Sequence, residues 1–208
     1  MERRRRGFTL IELLTVLVVG SIIIAALAST LVSVLRGSSG LMHYSDMKQQ
    51  SDRLLSYFSN DVFQADSLEF ATNEADEQLA FSLFSEGSLV VTYSYGLDST
   101  PPAGLSGLVF CIYREPSGGS RYEIASGFSS PPMETISGAN TASFFFFLNR
   151  ENEVLDHTTS TGKTLTSRAV SKIRLNGTMQ RGGSGDFPIT HEVSTLSVLK
   201  NQVVRNSN

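Results

Sequence analysis

The stretch "RRRRGFTLIELLTVLVVGSIIIAALASTLVSVLR", residues 3–36, decides how the rest of this 208-residue chain is read. Four arginines, Arg3, Arg4, Arg5 and Arg6, stand against an apolar run that holds one carboxylate, Glu12, five residues after Gly7. From Leu13 to Leu35 there is no charge, and the polar residues Thr15, Ser21, Ser29, Thr30 and Ser33 are small hydroxyls. Such hydroxyls can bond back to the carbonyls of their own helix. At about 1.5 Å per residue the run makes a helix of about 34 Å, enough to cross a hydrocarbon layer of about 30 Å. The positive-inside rule keeps the arginine end in the cytoplasm, so the chain beyond residue 36 is expected outside the inner membrane. A charge at the centre of a bilayer helix costs roughly 2.5–3.5 kcal/mol on insertion scales. A plain anchor therefore gives no reason for Glu12.

Two plainer readings fit part of the segment. A secretory signal peptide could be cut at Ala26-Leu27-Ala28, yet the apolar run continues through Leu31, Val32, Val34 and Leu35. An ordinary signal anchor accounts for the span and leaves Gly7 and Glu12 as coincidences. The string "RGFTLIELLTVLVVGSIIIAAL" resembles the N-terminus of type IV prepilins and of type II secretion pseudopilins. In that family a membrane aspartyl peptidase, prepilin peptidase, cuts after the glycine on the cytoplasmic side and N-methylates the new terminus. The resemblance implies that Gly7 precedes the cut, that Phe8 is the methylated terminus, and that Glu12 is the family's fifth-position glutamate. It also implies partners: prepilin peptidase, other pilin or pseudopilin subunits, an inner-membrane assembly platform and membrane lipid.

Elementary chemistry agrees with these roles. Cutting before the apolar run keeps the anchor, and a glycine without Cβ lets a protease backbone approach closely. The cut leaves a positive α-amine at the edge of an apolar helix. Where such helices pack side by side, Glu12 of a neighbour can pair with it, and water-poor surroundings penalise either charge left alone. Glu12 thus reads as an assembly residue with no partner of its own in the unassembled subunit beyond lipid headgroups, water and its own amine. Many members carry a proline within this helix; here none occurs between residues 8 and 100, leaving Gly20 and the Gly37-Ser38-Ser39-Gly40 stretch as the weak points for bending.

Outward from the anchor, "LMHYSDMKQQSDRLLSYFSNDVFQAD" (41–66) repeats Met47, Ser51, Leu54, Phe58, Val62 and Ala65 at helical spacing, with Asp46, Lys48, Gln49, Asp52 and Arg53 on the other side. This predicts the second half of one long helix lying on a sheet, with the glycine–serine stretch either a true break or a frayed turn. After Leu68 the pattern turns to strands at 78–84, 88–95, 107–115, 120–126, 142–150, 169–179 and 191–199. Loops are expected at "DSTPPAGLSG", "EPSGG", "GFSSPPMETISGAN", "TTSTG" and "RGGSGDFP". Short connections favour antiparallel pairing. Four consecutive phenylalanines, Phe144 to Phe147, imply apolar surroundings on both faces of a strand: either a central strand or one with a subunit interface on one side.

The net charge is −3, and without residues 1–7 the chain has 13 basic and 19 acidic residues, −6. A mildly acidic body without a basic run argues against nucleic acid as a partner. Cys111, the sole cysteine, reads as a small core residue and forms no internal disulfide. His43, His157 and His191 show no zinc spacing, and "GGSGD" at 182–186 lacks the last glycine of a nucleophile elbow. Glu151, Glu153 and Asp156 could hold calcium or form a solvated turn, and Asn176-Gly177-Thr178 fits a glycosylation sequon. No catalytic residue, metal site or cofactor is expected.

The resulting expectation is an α+β, pilin-like chain: a cleaved leader (1–7), a transmembrane and filament-core helix (8–36), a junction (37–40) and a periplasmic domain (41–208). By resemblance it is a minor pilin or pseudopilin subunit of a type II secretion or type IV pilus-like filament, its body diffusely similar to J-type minor pseudopilins. The rivals are a pilus-displayed adhesin, a DNA-uptake subunit that would need Arg114, Arg121, Arg150, Arg168, Arg174 and Arg181 to converge, and a membrane-tethered hydrolase using His157 or His191.

Overall fold

The computed structural model describes residues 9–70, 77–100, 105, 107–136, 139–155, 164–166, 169–182 and 189–200. Its order is one helix, α1 (Leu10–Gln64), and eleven strands: β1 (Ser67–Phe70), β2 (Glu77–Ser85), β3 (Ser88–Leu97), β4 (Phe110–Pro116), β5 (Tyr122–Phe128), β6 (Met133–Ile136), β7 (Ala139–Ala142), β8 (Phe145–Leu148), β9 (Thr164–Thr166), β10 (Lys172–Arg181) and β11 (Ile189–Val198). The chain divides into two compact units, Met1–Met42 and His43–Asn208. The first is helix. The second is a sheet with the later part of α1 packed on it.

Every pairing in the sheet is antiparallel, in the order β11-β10-β5-β4-β3-β2-β1-β9, with β8 also on β10; β6 and β7 form a separate hairpin. Local chemistry sets the tight turn between β2 and β3. Glu86 and Gly87 both have positive φ (52° and 77°), the two-residue geometry whose twist matches paired strands. β10 alternates buried and half-buried residues along its whole length, as a strand with one core face must.

The apolar stripe is where the spacing put it: Met47, Ser51, Leu54, Phe58, Val62 and Ala65 are all buried. They meet Phe81, Tyr93, Tyr95, Phe110, Ile112, Phe128, Leu175 and Val193 from the sheet in one core. The four phenylalanines are fully buried, as apolar surroundings on both faces require, although β8 pairs with β10 alone among the named strands and is not central in the sheet. Phe145 packs on Phe58, Phe81 and Tyr93, while Phe147 packs edge-on against Phe70 and Phe81. Phe146 lies under the Arg174 guanidinium, which is ion-paired to Glu134 of β6, so its face has a cover within the chain.

The sheet is narrowest between β5 and β10, which share one register pair, Met179 with Phe128. Helix side chains serve the backbone of β5 there: Arg53 donates to the Ile124 carbonyl, and the Ser126 amide donates to Gln50. The Arg181 guanidinium donates to the Ser126 carbonyl and meets Asp46 of the helix at 3.6 Å. Gly127 is required at this seam. Its φ is +79°, and a Cβ would lie 1.8 Å from the Arg181 Nη1.

Three expectations change. α1 runs unbroken through Gly37-Ser38-Ser39-Gly40, because helical hydrogen bonds tolerate glycine at a cost of about 1 kcal/mol each without requiring a bend. The stretch read as the loop "GFSSPPMETISGAN" holds β6 and the start of β7, short strands whose polar residues gave no alternation. β1 and β9 were also not predicted; each is only three or four residues long and takes its geometry from its neighbours. The expected loops "TTSTG" and most of "RGGSGDFP" fall outside the described residues.

Candidate functional site

Leu10 to Leu35 is exposed on all sides of the helix: Leu10 is 82 % accessible, Leu17 66 % and Leu31 59 %. A helix that is apolar all round is stable only when lipid or other helices surround it. Within it, Thr15, Ser21, Ser29 and Thr30 donate to carbonyls three or four residues earlier, so these hydroxyls leave the apolar surface without an unsatisfied donor. The segment is long and apolar enough to cross a membrane.

Glu12 does have a partner in the isolated chain, contrary to expectation. Its carboxylate accepts from the Thr9 amide at 2.9 Å and from the Thr9 hydroxyl at 3.0 Å, while the Glu12 amide donates to the Thr9 oxygen at 3.3 Å. This reciprocal pair is a capping box, with a threonine at the cap and a glutamate three residues on. Its sequence signature is Thr9-Leu10-Ile11-Glu12, set directly against the apolar run. Arg3, Arg4, Arg5, Arg6, Gly7 and Phe8 lie outside the described residues.

The second arrangement was not foreseen. Asp61 falls on the buried stripe, three residues after Phe58, and a carboxylate there requires a cation. Arg114 of β4 supplies it with two parallel bonds, Nε to Oδ2 at 2.8 Å and Nη2 to Oδ1 at 3.0 Å. The Tyr93 hydroxyl donates to the same Oδ2 at 2.6 Å. Arg114 also donates to the Tyr122 hydroxyl and lies over the Tyr57 ring. Its bond to Asp61 raises the Arg114 pKa, and burial followed by the Asp61 charge raises that of Tyr93. The network ties helix to sheet; nothing in it is poised for proton transfer.

The remaining candidates separate. Arg114, Arg174 and Arg181 are ion-paired within the body, Arg121 lies over the Tyr113 ring, and Arg168 is outside the described residues. His191 meets the Tyr44 ring edge-on; His157 and Asp156 are not described. Glu153 belongs to a turn closed by Asn149, whose side chain accepts from the Glu153 amide and donates to its carboxylate. These bonds close a turn at Asn149–Glu153, while Asp156, the third residue of the calcium alternative, lies outside the described residues. Cys111 is buried, with its sulfur 3.2 Å from the Tyr113 hydroxyl.

An apolar exposed helix opened by a Thr–Glu cap, followed by a sheet packed on its later turns, is the layout of a pilin-like protein. Residues 3–28 match the family described as the prokaryotic N-terminal methylation motif. No curated protein and no solved structure matches the chain. The motif is that of prepilin peptidase substrates and implies assembly with other pilins, and the apolar helix fits a membrane-anchored, single-pass protein.

Proposed function

We propose that the protein is a minor structural subunit of a type II secretion or type IV pilus-like filament. Prepilin peptidase cuts it between Gly7 and Phe8 and methylates Phe8. The Arg3–Arg6 leader holds the N-terminus in the cytoplasm, residues 8–36 span the inner membrane, and the body from about residue 41 stands in the periplasm beside the assembly platform. The observation that carries this reading is the methylation motif continuing into a helix whose apolar residues from Leu10 to Leu35 are exposed. A minor role is favoured over a major one because Cys111 is the sole cysteine, so the disulfide that closes many major pilins cannot form.

Glu12 is the assembly residue of this scheme. In the free subunit it caps its own helix through Thr9; in the filament its charge pairs with the amine of a neighbour. Substitution separates the two roles, because glutamine also completes a capping box. Glu12→Gln keeps the cap and loses the charge, whereas Thr9→Ala loses the cap and keeps the charge. With peptidase co-expressed, both variants should be cut after Gly7, seen by mass spectrometry as a methylated Phe8 terminus. Glu12→Gln should cross-link poorly to partner subunits, since stranding one member of a buried pair costs about 3–5 kcal/mol. Thr9→Ala should cross-link nearly as wild type. Wild-type cross-linking by Glu12→Gln would remove the charge from the mechanism, and an intact Met1 terminus in the wild type would overturn the processing scheme.

A further inference from the structure

Cys111 is fully buried yet takes no part in the aromatic core that Phe110 and Ile112 join on either side of it. Alternation along β4 turns its sulfur to the opposite face of the sheet, where Tyr113 also points. Two carboxylates come to the same place from the flanking strands. Gly96 of β3 pairs with Cys111, which brings Asp98 alongside, and Asp98 is fixed there by its amide bond to the Val109 carbonyl at 2.8 Å. Glu123 of β5 pairs with Tyr113 and so lies diagonal to Cys111. The Cys111 sulfur and one carboxylate oxygen each from Asp98 and Glu123 lie within 4.8 Å of one another.

We propose that Asp98, Cys111 and Glu123 form a zinc site that pins β3, β4 and β5 together on the sheet face turned away from the helix. One sulfur and two carboxylate oxygens suit zinc, which accepts both ligand types at about 2.0–2.3 Å in a tetrahedron. Calcium and magnesium favour all-oxygen sets, and thiolate selects against them. In a tetrahedron of those bond lengths the ligand atoms stand roughly 3.3–3.8 Å apart, so rotation of the Asp98 and Glu123 side chains by about 1 Å closes the site. Water takes the fourth position. Glu123 is exposed and Asp98 partly so, which gives the ion its entry.

Two carboxylates face the sulfur, and the Arg121 guanidinium over the Tyr113 ring is the cation beside them. Thiolate, not thiol, is the zinc ligand. Zinc binding therefore forms the Zn–S bond, breaks S–H and releases the proton to solvent, so uptake strengthens as pH rises. The linear spacing 98, 111, 123 resembles no zinc motif, because the ligands are gathered by the sheet and not by one segment.

The test uses the full chain in detergent with zinc, cobalt and calcium chlorides as separate probes. Dialysis should leave one zinc per chain, held more tightly at pH 8 than at pH 6, and zinc should raise the melting temperature. Cobalt should give a near-ultraviolet sulfur-to-metal charge-transfer band. Cys111→Ser should abolish that band, and Glu123→Gln, an exposed substitution that should not disturb folding, should weaken zinc binding about tenfold or more. Glu192→Gln, on a different strand, should change nothing. Lack of zinc uptake by the wild type, uptake of calcium but not zinc, or undiminished zinc binding by Glu123→Gln would each overturn the proposal.

Discussion

Leu10–Leu35 and Met47–Ala65 belong to one helix and obey opposite rules. In the later stretch one face is apolar and buried, with Leu54 and Phe58 wholly inaccessible, while Lys48, Gln49 and Asp52 face outward. In the earlier stretch the apolar residues go all round and none is buried. The later stretch completes a core supplied by its own sheet. Among the described residues the earlier stretch joins no core, and a helix that is apolar all round is stable only when lipid or other helices surround it. One helix thus carries two separate solutions to the burial of apolar surface, and each can be broken without the other.

The largest effect should come from one substitution placed in each stretch. Leu54→Asp or Phe58→Asp buries an unpaired charge in the helix–sheet core, and should destabilise the body by several kcal/mol, beyond the roughly 4 kcal/mol that marks exceptional mutations. Thermal melting of the full chain in detergent reads this directly. Ile23→Asp should leave that melting unchanged and instead reduce membrane insertion, at about 3 kcal/mol near the centre of the span. A body that melts early in Ile23→Asp, or normally in Phe58→Asp, would dissolve the distinction.

The next effect tests the single charge inside the later stretch. Asp61→Asn should cost about 3–5 kcal/mol, because the Arg114 guanidinium keeps its place and loses its counter-charge. The double variant Asp61→Leu with Arg114→Met should recover much of that loss, since apolar replacement of both members removes the stranded charge. A full loss in the double variant would mean that the pair itself, with Tyr93, fixes how the helix sits on the sheet.

What could be read in advance follows the same division. Periodicity exposed the stripe from Met47 to Ala65, and period-two patterning with glycine and proline punctuation exposed β2, β3, β4, β5, β10 and β11, while the phenylalanine run exposed the short β8, because each signal is local. The Asp61–Arg114 bond joins residues 53 positions apart, and the Asp98–Cys111–Glu123 cluster needs three strands in register. Neither has a local signature beyond one misplaced carboxylate on an apolar face. β6 and β7 were missed because Glu134, Thr135, Asn140 and Thr141 look like loop residues until a partner strand is present. At the N-terminus the motif is local and plain, whereas the Thr9–Glu12 cap depends on where the helix starts, which the unbroken apolar run does not mark.

The smallest expected effect lies where the two stretches meet. Gly37 is helical, a Cβ there would meet nothing within 4 Å, and no residue of α1 before Met47 is buried. The backbone at Gly37 itself is therefore held chiefly by its own hydrogen bonds, with the first ring contact to the sheet coming at Tyr44 against His191. Glycine in such a position costs about 1 kcal/mol relative to alanine, through the freedom it surrenders on folding. Gly37→Ala should accordingly slow amide hydrogen exchange across residues 36–44 by about fivefold, the factor that 1 kcal/mol corresponds to at room temperature. The melting temperature of the body should stay where it is, because no core contact changes. If exchange in this segment is unaltered, something other than its own hydrogen bonds already holds it, such as the Tyr44 contact with His191. If the body instead melts higher, the two stretches are coupled through the helix backbone, and their separation holds for burial but not for stability.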